Sequence, residues 1–226
     1  MSAMGALVAG VAHEVRNPLF AITATVDALE ARAGLEGPYA PYLTILREQA
    51  GRLAGLMFDL LDYGRPHELR IGPVPPRQPM DDAIEQCSAM ARERGVGIVS
   101  RPNAQLPVAI DLDRVARALR NLIENAVQFS PAEGSVAVES REERGPRGEW
   151  LIYEVCDCGP GFREEDLAQV LEPFFSRRRG GTGLGLAIAR QIAEEHGGCV
   201  RVSNRPDGGG RVRLEIPSSL SAQIVA

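Results

Sequence analysis

Between residues 43 and 60 the apolar side chains fall at Leu43, Leu46, Ala50, Leu53, Met57 and Leu60, in alternating steps of three and four. That spacing predicts a helix and demands a second helix to cover its seam. The partner is written upstream. At about 100° per residue, Val8, Val11, Val15, Ile22, Val26 and Leu29 fall within roughly 60° of helical arc, and "EGPYAP" separates the two stripes. The first 64 residues therefore read as a helical hairpin. A hairpin alone buries too little apolar surface to stand, so the expected solution is a dimer closing a four-helix bundle.

Two residues do not suit an ordinary core helix. His13 lies about 170° from the apolar stripe and so points outward. Glu14, beside it, can orient the imidazole or accept its proton, leaving the other nitrogen nucleophilic. Asn17 follows one turn on, and Pro18 bends the helix because it has no N–H for the carbonyl of Glu14.

After the hairpin, "GRPHELRIGPVPPRQP" is rich in proline and poor in apolar pattern, and residues 67–79 read as a linker. From residue 80 to 226 the pattern is mixed. Helices are expected at "MDDAIEQCSAMARER", at "DLDRVARALRNLIENAVQF" with Asp111 or Asp113 as its cap, and at "LGLAIARQIAEEHGG". Strands are expected at "VGIVS", "VAI", "SVAVES", "WLIYEVCD", "CVRVSN" and "RVRLEIP", with "REERGPRGE" as a charged hairpin loop and "RPDGGG" as a turn. The strands outnumber βαβ crossovers, which favours a helix layer on a mixed sheet.

Several function classes drop out. A net charge of -5 does not suit a nucleic-acid binder. No apolar run reaches the roughly 20 residues that cross a bilayer, and the N-terminus lacks the marks of a secretory signal. Cys87, Cys156, Cys158 and Cys199 show no CxxC spacing, consistent with a reduced, cytoplasmic protein. The chain has no lysine at all, so cationic help for a phosphate must come from arginine or a metal.

The remaining motifs suit a nucleotide. In "NLIENA", Asn121 and Asn125 share a helix face, and their amide oxygens are hard ligands of the kind Mg²⁺ accepts alongside phosphates and water. Glu124 stands beside them, able to orient water or a ligand. In "DCGPGF", Asp157 ends a buried strand, where a ligand that donates N–H groups, such as an adenine amino group, would satisfy its carboxylate. Gly159 and Gly161 permit a tight turn and close approach. In "GGTGLGLAIARQ", Gly181, Gly183 and Gly185 lead into a helix whose free N–H groups suit a phosphate. The spacing is neither a Rossmann fingerprint nor a P-loop. The preceding "EPFFSRRR" offers Phe174 and Phe175 as an apolar latch and Arg177 to Arg179 as cations.

His-Glu on a helical hairpin, then N-x-x-x-N, D-x-G-x-G, F-F and G-T-G-L-G-L in that order, resembles the sensor histidine kinases of two-component signalling, from about Leu7 to Pro217. The resemblance implies an α+β chain: a dimerisation and phosphotransfer hairpin over residues 1–66, a linker over 67–79, and an α/β-sandwich catalytic domain over 80–226. It implies an ATP-dependent autokinase in which His13 accepts the phosphoryl group, Glu14 assists and Asn17 serves dephosphorylation of the partner. Asn121 and Asn125 then hold Mg²⁺ and phosphate, Asp157 with Gly159 and Gly161 takes adenine, and Gly181, Thr182, Gly183, Leu184 and Gly185 line the phosphates. The implied partners are a second copy of the chain and the receiver domain of a response regulator, without nucleic acid or membrane contact by this segment, which then serves in the cytoplasm alone or within a larger sensor. Two departures stand out: Gln128 occupies a place where the family commonly has a basic residue, and the lid between Phe162 and Gly181 is short. These leave a rival reading open, a degenerate kinase acting as a regulator-binding scaffold. A further rival is an ATPase of the same nucleotide-binding fold, such as a chaperone or mismatch-repair type, which would lack the His-Glu hairpin.

Overall fold

The computed structural model describes residues 20–31, 39–64, 68–145, 148–178 and 181–218. The chain divides into two compact units, residues 1–67 and 68–226. The first contains helix α1 (residues 20–31) and helix α2 (Ala40–Gly64). Arg47 of α2 pairs with Asp27 and Glu30 of α1, which fixes the two helices side by side. Val26, Leu43 and Ala50 are buried between them. The seam is only half covered. Leu46 and Leu53 each keep 49% of their surface, and Phe20, Ile22, Leu29 and Ile45 are also exposed. His13, Glu14 and Asn17 lie outside the described residues.

The second unit is a layer of three helices on a sheet. In chain order it comprises β1 (Gly72–Val74), α3 (Arg77–Glu93), β2 (Gly97–Pro102), β3 (Val108–Ile110), α4 (Leu112–Phe129), β4 (Ser135–Gly145), β5 (Gly148–Cys156), a single 3₁₀ turn (Glu164–Asp166), α5 (Gly185–Glu195), β6 (Cys199–Asn204) and β7 (Gly210–Pro217). The five-stranded sheet runs β2-β4-β5-β7-β6. Its β2–β4 pair is parallel and the rest are antiparallel, so the sheet is mixed as expected. β1 and β3 form a separate antiparallel pair.

Register sets the core. Val138 faces Val155, which faces Val212, and Tyr153 faces Leu214, which faces Val200; these residues share the face that α4 and α5 cover. All are buried, together with Leu119, Leu122 and Ile123 of α4 and Ile188 and Ile192 of α5. Each such aliphatic side chain contributes about 1.5–3 kcal/mol on leaving water. The Tyr153 hydroxyl reaches through this layer and donates to the carbonyl of Pro76 at 2.8 Å, tying the sheet to the start of α3.

The opposite face of the sheet carries charge. Glu154 lies within ion-pair reach of Arg141, Arg211 and Arg213, while Glu215 pairs with Arg201 and Arg213. This lattice extends strand structure into "REERGPRGE": β4 runs to Gly145 and β5 starts at Gly148, with Arg141 of β4 paired to Glu154 of β5. Part of the proline-rich stretch is also regular structure, since it supplies β1 and the first residues of α3. Proline is tolerated in both settings, a short edge strand and a first helical turn.

Candidate functional site

α4 is the floor on which the motifs meet. Asp111 caps it, its Oδ1 accepting the Arg114 N–H at 3.1 Å, and Asp113 adds negative charge to the first turn. The helix ends at Ser130, which is extended as the residue before Pro131 must be. Asn121 is buried and Asn125 half-buried. The Asn121 amide nitrogen has no hydrogen-bond partner. A buried donor left unpaired is costly, and it fits a site completed by a polar ligand.

Asp157 sits just past β5 with 7% of its surface exposed. Its Oδ1 accepts the N–H of Gly159 at 2.7 Å and of Gly210 at 3.0 Å, leaving Oδ2 as the acceptor still open. The turn is pressed against the end of α4: a Cβ on Gly159 would lie 2.6 Å from the Phe129 carbonyl oxygen, so no larger residue fits. Gly161, in the left-handed region, carries the chain on to Phe162, whose N–H and carbonyl are both held by the Asn204 side chain.

On the other side, the start of α5 abuts the same helix. A Cβ on Gly185 would stand 3.8 Å from the Asn121 Cβ. Thr182 Oγ1 accepts the Leu184 N–H at 3.2 Å, Leu184 is fully buried, and no side chain caps the helix end. Gly183 has φ +66, and a Cβ there would lie 2.5 Å from the Phe174 backbone. Here only glycine meets both demands. Gly181 donates to the Arg178 carbonyl.

The lid differs from expectation at two places. Phe174 is 64% exposed and so is no packed latch, whereas Phe175 is half-buried. Arg177 is already committed, forking onto Asp166 and reaching Glu165, and it holds the Asp166 carboxyl below the usual range. Arg178 bonds Gln128 of α4, and Arg179 lies outside the described residues. Glu124 lies 3.6 Å from Arg120. Among the described residues no group of three or more His, Cys, Asp or Glu could hold a metal, so an ion here would need ligand phosphates and water beside Asn121 and Asn125.

The pattern of "RPDGGG" marks a turn and hides the role of Gly210, whose N–H holds Asp157. Three consecutive glycines exceed what a hairpin turn requires, and that excess is the one signal the sequence offers. Nothing in the sequence singles out His196, which is fully buried. The His196 Nδ1–H donates to the Ile192 carbonyl at 2.8 Å, and Nε2 accepts the Asp111 N–H at 3.1 Å, pinning the end of α5 to the start of α4.

Burial pushes the His196 pKa below its ordinary 6.5, against the opposing pull of Asp111 and Glu195 and with that of Arg114. The unfolded chain therefore binds a proton that the native chain refuses. His196 contributes full stability above about pH 6.5 and loses it as pH falls through the lowered folded value. Denaturant midpoints of residues 68–226 should fall in that window, and in His196→Gln, which cannot titrate there, this part of the slope should vanish. A slope unchanged by the substitution would exclude His196 as its source.

Residues 3–69 match the family model of the His Kinase A (phospho-acceptor) domain, and residues 110–220 that of the histidine kinase-, DNA gyrase B- and HSP90-like ATPases. The chain contains the two domains of a sensor histidine kinase. The sensor histidine kinase ZraS of Escherichia coli O157:H7 is 31% identical over 220 residues, which is 97% of this chain and 47% of ZraS. The sensor protein kinase PilS of Pseudomonas aeruginosa is 27% identical over 98% of this chain and 42% of PilS. The chain thus spans about half the length of the curated kinases it matches. Among solved structures, full-length ShkA in complex with AMPPNP superposes with a TM-score of 0.77 at 30% identity, covering 93% of this chain and 45% of ShkA. Histidine kinase ThkA in complex with the response regulator TrrA shares the fold, with a TM-score of 0.71 at 24% identity over 98% of this chain and 64% of that one. The histidine-kinase architecture here is α+β, with N-terminal helices followed by a mixed-sheet domain of the ATPase type, and among the described residues no helix is long and apolar enough to cross a membrane.

Proposed function

We propose that this chain is an ATP-dependent protein-histidine kinase that works as a homodimer. The carrying observation is the open Oδ2 of buried Asp157 at the C-terminal end of α4 and the orphaned amide of Asn121 midway along it. That pair suits a ligand that donates from a purine and accepts through phosphates, and ShkA, at 30% identity, is in complex with AMPPNP. Asp157 would accept from adenine, with Gly159 and Gly161 allowing approach. Gly181, Thr182, Gly183, Leu184 and Gly185 would line the phosphates. Asn121 and Asn125 would hold Mg²⁺, which when bound neutralises charge on the phosphate oxygens.

The His13 nitrogen attacks the γ-phosphorus, the bond to the bridging oxygen breaks, and ADP leaves; Glu14 takes or orients the imidazole proton. The phosphoryl group then passes to an aspartate of a response regulator, and Asn17 serves its later hydrolysis. We assign the phosphotransfer hairpin to residues 1–66 and the catalytic domain to residues 80–226, with residues 68–79 of the proline-rich stretch belonging to the second compact unit. The test is incubation with γ-labelled ATP and Mg²⁺. An acid-labile, base-stable label on the chain supports a kinase; nucleotide binding without any label favours the scaffold reading.

The half-covered seam supports the dimer. Leu46→Glu combined with Leu53→Glu should convert a species of twice the chain mass into a monomer by sedimentation equilibrium, because each buried charge costs more than the seam returns. A double variant that stays dimeric would place the interface elsewhere.

A further inference from the structure

We infer that Asp111 is a positioning residue for phosphoryl transfer, pegging the strap that enters the second unit to the helix that carries Asn121 and Asn125. Its role in transfer rests on the kinase reading above; the peg itself does not. Asp111 is buried, and each oxygen of its carboxylate has a separate task. Oδ1 accepts the Arg114 N–H and caps α4. Oδ2 accepts the Arg70 N–H at 2.7 Å, from 41 residues upstream. The Asp111 N–H donates to His196 Nε2, so the peg stands on the junction of α4 and α5.

Register explains why a side chain is needed there. β1 pairs with β3 from Val74↔Val108 to Gly72↔Ile110, and β3 goes no further because Leu112 already opens α4. The Asp111 carboxylate takes the place of the next strand carbonyl and carries the attachment on to Arg70. The strap has few donors to spare, since Pro73, Pro75 and Pro76 have no N–H. A pair of three-residue strands is also marginal by itself. The next hold is the Tyr153 hydroxyl on the Pro76 carbonyl. A charge-assisted bond at the leading end therefore decides whether the strap lies down or lifts. On the kinase reading, His13 and the nucleotide residues belong to different units, which this strap joins. How often they meet depends on the slack in the connection. Each residue peeled from the domain adds up to about 3.5 Å of it.

Asp111→Ser separates the two tasks, since a serine hydroxyl still caps α4 but leaves no second oxygen for Arg70. Trypsin should then cut the full chain after Arg70 about tenfold faster, because the Arg70–Ile71 bond is reached only when the strap lifts. Labelling by saturating γ-labelled Mg-ATP should slow about three- to tenfold, while calorimetric Mg-ATP affinity stays within about twofold. Arg70→Pro, which removes the N–H and leaves Asp111 and the α4 cap untouched, should slow labelling alike. An unchanged cleavage rate in Asp111→Ser would overturn the peg. Faster cleavage with unchanged labelling would overturn its role in transfer, and a loss of Mg-ATP affinity in proportion to labelling would reduce Asp111 to a support for α4. Absence of label on the unmodified chain would instead bring down the kinase reading and the transfer role together, while the cleavage rates still report on the peg.

Discussion

Replacing His13 by alanine abolishes the acid-labile label that γ-labelled ATP leaves on the chain, while ATP affinity stays within about twofold. The reasoning is chemical. Imidazole is the side chain whose neutral form is both abundant near pH 7 and nucleophilic. The P–N bond it forms hydrolyses in acid and survives base, unlike a phosphoserine ester. Loss of the label should be complete, because no neighbouring residue from Ala12 to Asn17 offers a second neutral nitrogen nucleophile. Binding should survive because adenine and phosphates are assigned to Asp157, Asn121 and the glycines, all within the other compact unit. Label retained in His13→Ala would move the acceptor to another residue.

The second large effect is expected at Asp157. Asp157→Asn should lower ATP affinity about ten- to a hundredfold, the range that corresponds to roughly 1–3 kcal/mol for a buried polar group left mismatched. The substitution is nearly isosteric. Its amide oxygen can still accept from Gly159 and Gly210, so the fold should persist with a near-wild-type melting curve. What changes is the other atom: an acceptor becomes an NH₂ group that confronts the purine's own amino group, donor against donor. Asp157→Ala is a poorer test, since it also orphans two backbone N–H groups. Unaltered ATP binding in Asp157→Asn would mean that the purine is read elsewhere.

Features encoded locally are legible in the amino-acid sequence. The α2 seam, the α4 cap (narrowed to Asp111 or Asp113), the glycine entry to α5 and the alternation in β4 to β7 each lie within a few neighbouring residues, and short-range geometry decides them. The shared face of Asn121 and Asn125 follows from helix pitch alone. Features that depend on distant partners are not legible. β1 exists because β3, beyond α3 and β2, pairs with it, whereas its prolines argue for a linker. The extension of β4 and β5 through "REERGPRGE" depends on ion pairs with β7. Gly210 meets Asp157 from 53 residues away, Arg178 meets Gln128 from 50, and His196 meets Asp111 from 85. The order of the motifs carries the family, but each of these pairings is tertiary. The exposure of Phe174 is equally hidden, because an F-F pair reads as apolar whichever way the backbone turns it.

The buried imidazole at residue 196 makes a plinth of two helices. With the end of α5 riveted to the start of α4 and both seated on the sheet, the Asp157 turn and the threshold at Gly185 rest on one pair of packed helices. The canopy between Phe162 and Thr182 is secured differently, by surface anchors at Asp166 and Gln128. On the nucleotide reading proposed above, grip on the nucleoside and tempo of turnover can therefore diverge under selection: the canopy can be lengthened, trimmed or recharged while the stonework beneath keeps its dimensions.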